Sequence, residues 1–307
     1  FAMYNPGNIL DVKLEELRHV VGARPPVNAR MQALKENVRA IVQGVQEEQA
    51  NSQEAGMRFS KSEKIFADAS ENLKRALAPE FWANFDQNAE ARLEFLANWI
   101  APLIMDDTMI YFGYLGSDPA LFQKSFSQFE IVKGTAIPEG RRGFLISDYV
   151  YENMVKHRVA RRLDQIKKRI DKNQETLAGT KSLSELVTSN VAQGADIYTQ
   201  IDPLAAQALV PQLQTVVGSR SSSLRELTES FLKMDDSNFL PRYQFFYDKI
   251  APQLVLYRIK IGEIFPLSAF GKNGYSSSVN LKVYGTFRFR SFESSPVAGN
   301  FSLMDLI

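Results

Sequence analysis

Apolar positions set the first elements of this chain. Met31, Leu34, Val38, Ile41 and Val45 alternate at spacings of three and four, which predicts a helix with a heptad-like seam. Pro25-Pro26 ahead of it suits a stop before a new helix. The seam fades into the polar run QEEQANSQEAG, so it is too short for a long coiled coil. Ser60 and Glu63 in SKSE have the spacing of a capping box. Ile65, Phe66, Ala69, Leu73 and Leu77 then supply an apolar face. Pro79 fits the first turn of the next helix, whose Phe81, Trp82, Phe85, Leu93, Phe95, Leu96 and Trp99 read as core.

The pattern changes at Asp107. TMIYFGYLG is β-branched and aromatic and predicts a strand. Asp118-Pro119 is an N-cap with a first-turn proline, opening a short helix through Phe122. FEIVKG is a short strand closed by Gly134, IPEGRR is turn chemistry, and GFLIS is a buried strand. Ser147-Asp148 is expected to cap a long helix. Helical spacing returns with Val159, Leu163, Ile166 and Ile170, with capping boxes at Ser182 and Ser223 and a helix opened by Asp202-Pro203. Gly218 and SRSSS break the chain. An apolar, aromatic helix from Phe239 to Leu256 leads into two final strands, RIKIGEIFPL and VNLKVYGTFRF, joined by the loop SAFGKNGYSSS. No internal repeat and no low-complexity tract stands out on this reading.

Composition adds exclusions. The chain has 307 residues, 45% hydrophobic and 23% charged, so a core is feasible. Its formal net charge of +1 creates no global field for nucleic acid or a membrane surface. It has no cysteine, which removes disulfides, thiol catalysis and thiolate metal sites. No apolar run is long enough to span a bilayer. The start FAMYNPGN lacks the regions of a signal peptide, and the chain reads as a soluble piece of something longer.

Two segments carry a family resemblance. In the first, Ile131, Val132, Gly134, Ile137, Pro138, Gly143, Leu145, Ile146 and Ser147 follow the Asp118-Pro119 pair. In the second, Ile261, Gly262, Glu263, Ile264 and Leu267 precede Lys282, Val283, Gly285 and Phe287. In this order they resemble the extracytoplasmic domain of FtsX-like ABC-transporter permeases, the family of the MacB macrolide exporter and the lipoprotein-releasing permeases. Glu263 stands where the family has Asp. The all-helical first third and the long helical insert before Leu256 depart from the family pattern. The matching residues Gly134, Pro138, Gly143, Ser147, Gly262, Val283 and Gly285 are structural.

The resemblance implies an α+β, predominantly helical fold with a small β-containing base and two long helical insertions. The base takes residues 1–25, 107–150 and 258–307, with a first strand from NILDVKLEEL; the excursions take residues 26–106 and 151–257. Ile9–Leu14 and Val279–Phe289 are then expected in one small sheet. The resemblance also implies a non-catalytic, MacB-like periplasmic domain of an inner-membrane transport protein. Such a domain transmits ATP-driven motion to a substrate or partner outside the cytoplasm. The implied partners are a cytoplasmic ATP-binding subunit and a second permease copy.

Candidate chemistry is sparse. His19 and His157 lack metal-ligand spacing, and His157 reads as a solvated residue of a basic helix. There is no phosphate loop, so the chain is not expected to bind ATP itself, and with no catalytic constellation neither an enzyme nor a cofactor site is expected. Asp106-Asp107 and Asp235-Asp236 read as capping or solvated pairs rather than paired catalytic carboxylates. The basic run from Lys156 to Lys172 reads as the wet face of an amphipathic helix. Its sharper reading is a contact for an anionic partner through Lys156, Arg158, Arg161, Arg162 and Lys168. Nucleic acid is disfavoured because no aromatic residues interleave with the basic ones. The competing reading of the whole chain is a stand-alone helical adaptor or scaffold.

Overall fold

A computed structural model describes residues 2–4, 9–21, 28–54, 63–103, 110–270, 276–290 and 299–305. The predicted caps at Ser60 and Asp106-Asp107, the Pro25-Pro26 stop and the loop centred on Lys272 lie outside them. In chain order the elements begin with β1 (Ala2–Tyr4), α1 (Ile9–Val21), α2 (Asn28–Glu54), α3 (Glu63–Leu77), α4 (Pro79–Ala83) and α5 (Ala89–Phe95). Next come β2 (Ile110–Ser117), α6 (Pro119–Ser125), β3 (Phe129–Gly134), β4 (Phe144–Ser147), α7 (Asp148–Val150) and α8 (Arg158–Asn173). They continue with α9 (Lys181–Ala192), α10 (Ala195–Tyr198), α11 (Pro203–Val217), α12 (Leu224–Leu232), α13 (Phe239–Phe245), β5 (Ile264–Phe270), β6 (Ser276–Phe289) and β7 (Phe301–Asp305). The chain divides into two units: Phe1–Pro6, Thr108–Gln165 and Val255–Ile307 in one, and Gly7–Asp107 and Ile166–Leu254 in the other.

The first unit is built on a mixed sheet of order β3-β6-β4-β7-β2-β1-β5, and a further pairing of β5 with β6 closes six of its strands into a barrel. Closure works because β6 is 14 residues long and serves three neighbours. Its first half pairs antiparallel with β5, from Ser276 opposite Phe270 to Lys282 opposite Ile264. Its second half pairs antiparallel with β3 and parallel with β4. Where β3 leaves β6, Gly134 faces Gly285. A Cβ on Gly134 would strike the Tyr284 carbonyl, and one on Gly285 the Lys133 carbonyl. Gly134 also has φ +76°, in the region that glycine tolerates.

Alternation along β4 explains its unbroken apolar run. Phe144 and Ile146 point into a core shared with Phe112, Phe265, Leu281 and Val283; Leu145 points the other way, to Ile137, Phe287 and Leu303. Inside the barrel, Phe112, Phe144 and Phe265 meet edge to face at 5.5–6.1 Å. Each such pair adds about 1 kcal/mol beyond the area it buries.

The small β-containing base with two long helical insertions is therefore corrected. Helix makes up 60% and strand 19% of the protein, but the strands close a six-stranded barrel. The pattern reading missed β1 and β7, of three and five residues, which are too short to show a period. It also took Ile9–Leu14 as strand. Leu10, Leu14 and Leu17 recur at helical spacing, and all three are buried on one face of α1. β5 starts at Ile264 rather than Arg258.

In the second unit the predicted seam holds: Met31, Leu34, Val38, Ile41 and Val45 are all buried, with Leu14, Leu73 and Phe85 in the same core. Asp118, Asp202 and Ser223 cap α6, α11 and α12 through their side chains. The predicted cap at Ser182 is corrected, because α9 already starts at Lys181 behind Thr180. The long helix expected behind Ser147 is corrected too: Ser147 makes no side-chain cap, and the helix it opens ends at Val155 before a new one starts at Arg158.

The absence of an internal repeat is also corrected. Residues 75–105 and 225–255 align without a gap and share Arg75/Arg225, Leu77/Leu227, Phe81/Phe231, Asp86/Asp236, Asn88/Asn238, Arg92/Arg242, Phe95/Phe245 and Ile100-Ala101-Pro102/Ile250-Ala251-Pro252. The structures coincide residue for residue from Ala89 to Leu103 and from Phe239 to Gln253. α5 and α13 each run into a π-helical turn, Leu96–Ile100 or Phe246–Ile250, and then a 3-10 turn, Ala101–Leu103 or Ala251–Gln253. Proline explains the widened turn. Pro102 and Pro252 have no N–H for the carbonyl four residues back. The ladder steps instead from Ala101 N–H to Leu96 O, and from Ala251 N–H to Phe246 O.

The internal contacts repeat as well. Arg92 donates to the Phe81 carbonyl and Arg242 to that of Phe231, each guanidinium lying over the same phenylalanine's ring at 5.3 and 5.9 Å. The paired rings Phe81–Phe95 and Phe231–Phe245 stand 5.7 and 5.6 Å apart, each tilted by 52°.

Two outcomes follow. Gly285→Ala should lower the unfolding free energy by about 3 kcal/mol, the upper range for forced overpacking, in a urea titration; an unchanged midpoint would contradict the close crossing. Arg92→Ala and Arg242→Ala should each cost about 2 kcal/mol, Arg242 more because it also donates to the Ser230 and Lys233 carbonyls.

Candidate functional site

The densest cluster of interacting charges in the first unit surrounds Glu152. The turn Tyr151–Val155 is π-helical, and it directly extends α7. It ends where the backbone pairs with the chain entering β5. His157 N–H donates to Leu256 O at 2.8 Å, Arg258 N–H to Val155 O at 3.2 Å, and Lys156 faces Tyr257. This short ladder holds the start of α8 beside the segment that leads to β5.

Side chains close the ladder into a clamp. Glu152 accepts from Lys133 of β3 and from the Tyr257 hydroxyl at 2.9 Å on one oxygen, and from Lys156 at 3.1 Å on the other. Lys156 also reaches Asp164 of α8 at 2.5 Å. The Tyr151 and Tyr257 rings stack at 4.4 Å, and Lys133 lies over both at 5.4 and 5.3 Å. β3, the turn that carries Glu152 and the approach to β5 are thereby tied to one carboxylate, and Lys156 links it on to α8.

Burial pushes the Glu152 carboxyl up, but the Lys133 hydrogen bond, the Lys156 charge and the Tyr257 hydrogen bond overcome it, leaving it below the usual carboxylate range. Burial pulls the Lys133 and Lys156 ammoniums down. Glu152 outweighs it for Lys133, and Asp164 with Glu152 for Lys156, so both end above the usual lysine value. Burial, then the charges of Glu152 and Glu263, push Tyr151 up to about 12. Burial and Glu152 likewise raise Tyr257.

The carboxylate is occupied on both oxygens, so the cluster ties its chain segments together. Among the described residues no group of three or more His, Asp or Glu side chains could hold a metal ion.

The sequence-predicted residues fall around this clamp and the neighbouring β3–β6 crossing. Gly134 and Gly285 form the crossing itself. Gly143 packs against the Tyr284 ring, Val283 is in the barrel core, and the exposed Pro138 accepts from Arg141 N–H in the turn. The Ser147 hydroxyl donates to the Gly299 carbonyl, and Gly262 takes φ +96° before β5.

The basic face is divided differently from its reading as one surface. Lys156 is 8% exposed and belongs to the clamp, so it is not presented to an outside anion. Arg161 donates to the Asn153 carbonyl, Arg158 and Arg162 are half-buried, and Lys168 is exposed. His157, expected in solvent, is 6% exposed. Sequence reasoning missed Lys133, Glu152 and Tyr257 because 124 residues of chain separate the first from the last. Comparison with known protein families, curated proteins and solved structures finds no match.

Glu152 titrates below its unfolded value, so it stabilises the fold above about pH 4.3 and that contribution is lost as pH falls through its folded pKa. Lys133 and Lys156 titrate above theirs, so their contribution is complete below about pH 10.4 and lost as pH rises through the folded values. Glu152→Gln should cost about 2 kcal/mol at neutral pH, the worth of a charge-assisted hydrogen bond, and flatten the acid limb of stability against pH. An acid limb identical to that of the parent protein would remove Glu152 from this role.

Proposed function

We propose that this chain is a non-catalytic extracytoplasmic domain of an FtsX-like ABC permease. The observation that carries the reading is the direction of the first and last strands in the chain. β1 runs antiparallel to β2, with Ala2 opposite Phe112, and β7 runs parallel to β2 on its other side, with Asp305 opposite Ser117. Chain leading into β1 and chain leading out of β7 therefore pass the same end of the barrel. A domain inserted between two membrane helices needs that geometry, because both connections must load one rigid body.

ATP hydrolysis by a separate cytoplasmic subunit moves the membrane helices of such a permease. The barrel receives both connections, and its clamp keeps β3, α8 and the approach to β5 moving together. The helical unit is the part left to engage a substrate or partner protein. The grouping of Gly134, Gly143, Val283 and Gly285 about one strand crossing supports the resemblance that suggested the family. No helix among the described residues is long and apolar enough to cross a membrane.

Lys282→Cys in the protein at its natural length should fractionate with membranes. In cells whose outer membrane is made permeable, it should react with a membrane-impermeant maleimide before the inner membrane is lysed. The parent protein without the substitution, carried through the same labelling, is the control. Recovery in the soluble fraction, unlabelled until lysis, would overturn the permease reading in favour of a scaffold protein.

A further inference from the structure

Next to the clamp the fold gathers arginines. From Tyr151 to Gln165 the chain carries four lysine or arginine side chains and two acidic ones, and both acidic ones, Glu152 and Asp164, hold Lys156. The other three basic residues are Arg158, Arg161 and Arg162. At spacings of three and four they share one face of α8. Arg258 joins them from the approach to β5. Its backbone N–H donates to the Val155 carbonyl at 3.2 Å, and His157 N–H donates to the Leu256 carbonyl at 2.8 Å, which ties residues 256–258 to the start of α8.

Arg161 is anchored among them. Its guanidinium donates to the Asn153 carbonyl, and Asn153 Nδ2 donates in turn to the Tyr149 carbonyl at 2.8 Å. Burial first, then the charges of Arg162, Arg158 and Arg258, pull the Arg161 guanidinium below the usual arginine value. Those three charges act in one direction because all are positive. Arginine keeps its proton at neutral pH, so the repulsion is not relieved by deprotonation. All four side chains are half-buried, which removes part of the water that would screen them. An anion with more than one charge relieves several of these repulsions together.

We propose that Arg158, Arg162 and Arg258, set around the anchored Arg161, form a binding site for a phosphate group. A guanidinium presents parallel N–H groups that match two phosphate oxygens, and a dianion answers more than one of the four charges. Lys156 and Lys168, read from the sequence as part of one basic surface with these arginines, are not members: the first belongs to the clamp and the second lies further along α8. All four arginines belong to the barrel unit, so the site stands whether or not the chain serves a permease.

The probe is inorganic phosphate, titrated into the purified chain in a calorimeter at low ionic strength, where screening is weakest. Saturable binding is expected. Arg162→Gln and Arg258→Gln should each weaken it about 10-fold, the lower range for a charge-assisted hydrogen bond, and Lys168→Gln should leave it unchanged. Hydrogen exchange on the unmutated chain gives a readout that does not depend on any variant folding. Phosphate should protect backbone amides in residues 156–163 and 256–259 and leave α2 and α11 unchanged. Phosphatidylcholine vesicles with and without phosphatidic acid separate two sources of the group. Sedimentation of the chain only with phosphatidic acid, abolished by Arg162→Gln, supports the site with a lipid as the source. Saturable binding of free phosphate without sedimentation supports it with a soluble source. No saturable binding of phosphate, binding undiminished in a folded Arg258→Gln, an equal loss in Lys168→Gln, or protection confined to other elements would each overturn the site.

Discussion

The barrel depends on how closely two strands can approach. At Gly134 and Gly285 the backbones of β3 and β6 come together with no room for a side chain on either. That contact lets β3 branch off β6 while β6 keeps β5 and β4 in register, so one strand ties together most of the first unit. Several features follow from it. β4 is buried on both faces, because the strands of the barrel lie on one side and the aromatic layer of Phe129, Phe287 and Phe289 on the other. Lys133, one residue before the crossing, is carried over the stacked tyrosines and within reach of Glu152. A bulky residue at either glycine would disturb the pairing and the clamp together.

The clamp is costly to assemble, because two lysines and a carboxylate lose much of their hydration within it. Its geometry offsets that cost: every charge has an opposite partner, and the aromatic faces beneath Lys133 replace part of its water. Such a network gains little over an apolar core in stability, but it fixes which segments lie together. The helical unit is organised otherwise and contains two copies of one related segment.

Much of the local structure was legible. The strand, helix, strand, turn, strand, helix order from Ile110 to Val150 came from β-branched runs and the Asp118-Pro119 signal, because each depends on neighbours a few residues away. The caps at Asp202 and Ser223 were legible for the same reason. Closure was not. Met3 pairs with Ser268 and Gly113 with Phe301, and nothing in three or five residues announces a partner so distant. The clamp was hidden likewise: the spacing around Lys156 suggested a wet basic helix, and only the fold brings Glu152 and Asp164 to it. The repeat was the one large feature within reach, since Ile-Ala-Pro occurs twice, 150 residues apart, each time starting eight residues after an arginine and within an aromatic run.

That duplication constrains how the two stretches can change length. In each copy a phenylalanine, an arginine and the Ile-Ala-Pro turn must face one interior, and their spacing is the same in both. A single residue added between Arg92 and Ile100 would rotate everything beyond it by about 100° around the helix axis. Ile100 would swing out of the core, and Trp99 or Ala101 would have to take its place. Because the widened π-helical turn is already set by the proline that follows, no slack remains to absorb the extra residue. The two copies can exchange side chains freely at Asn98 and Trp99, or Asp248 and Lys249, which face solvent. In helical phase they have no such freedom, so insertions in this protein are confined to the connections outside the paired segments.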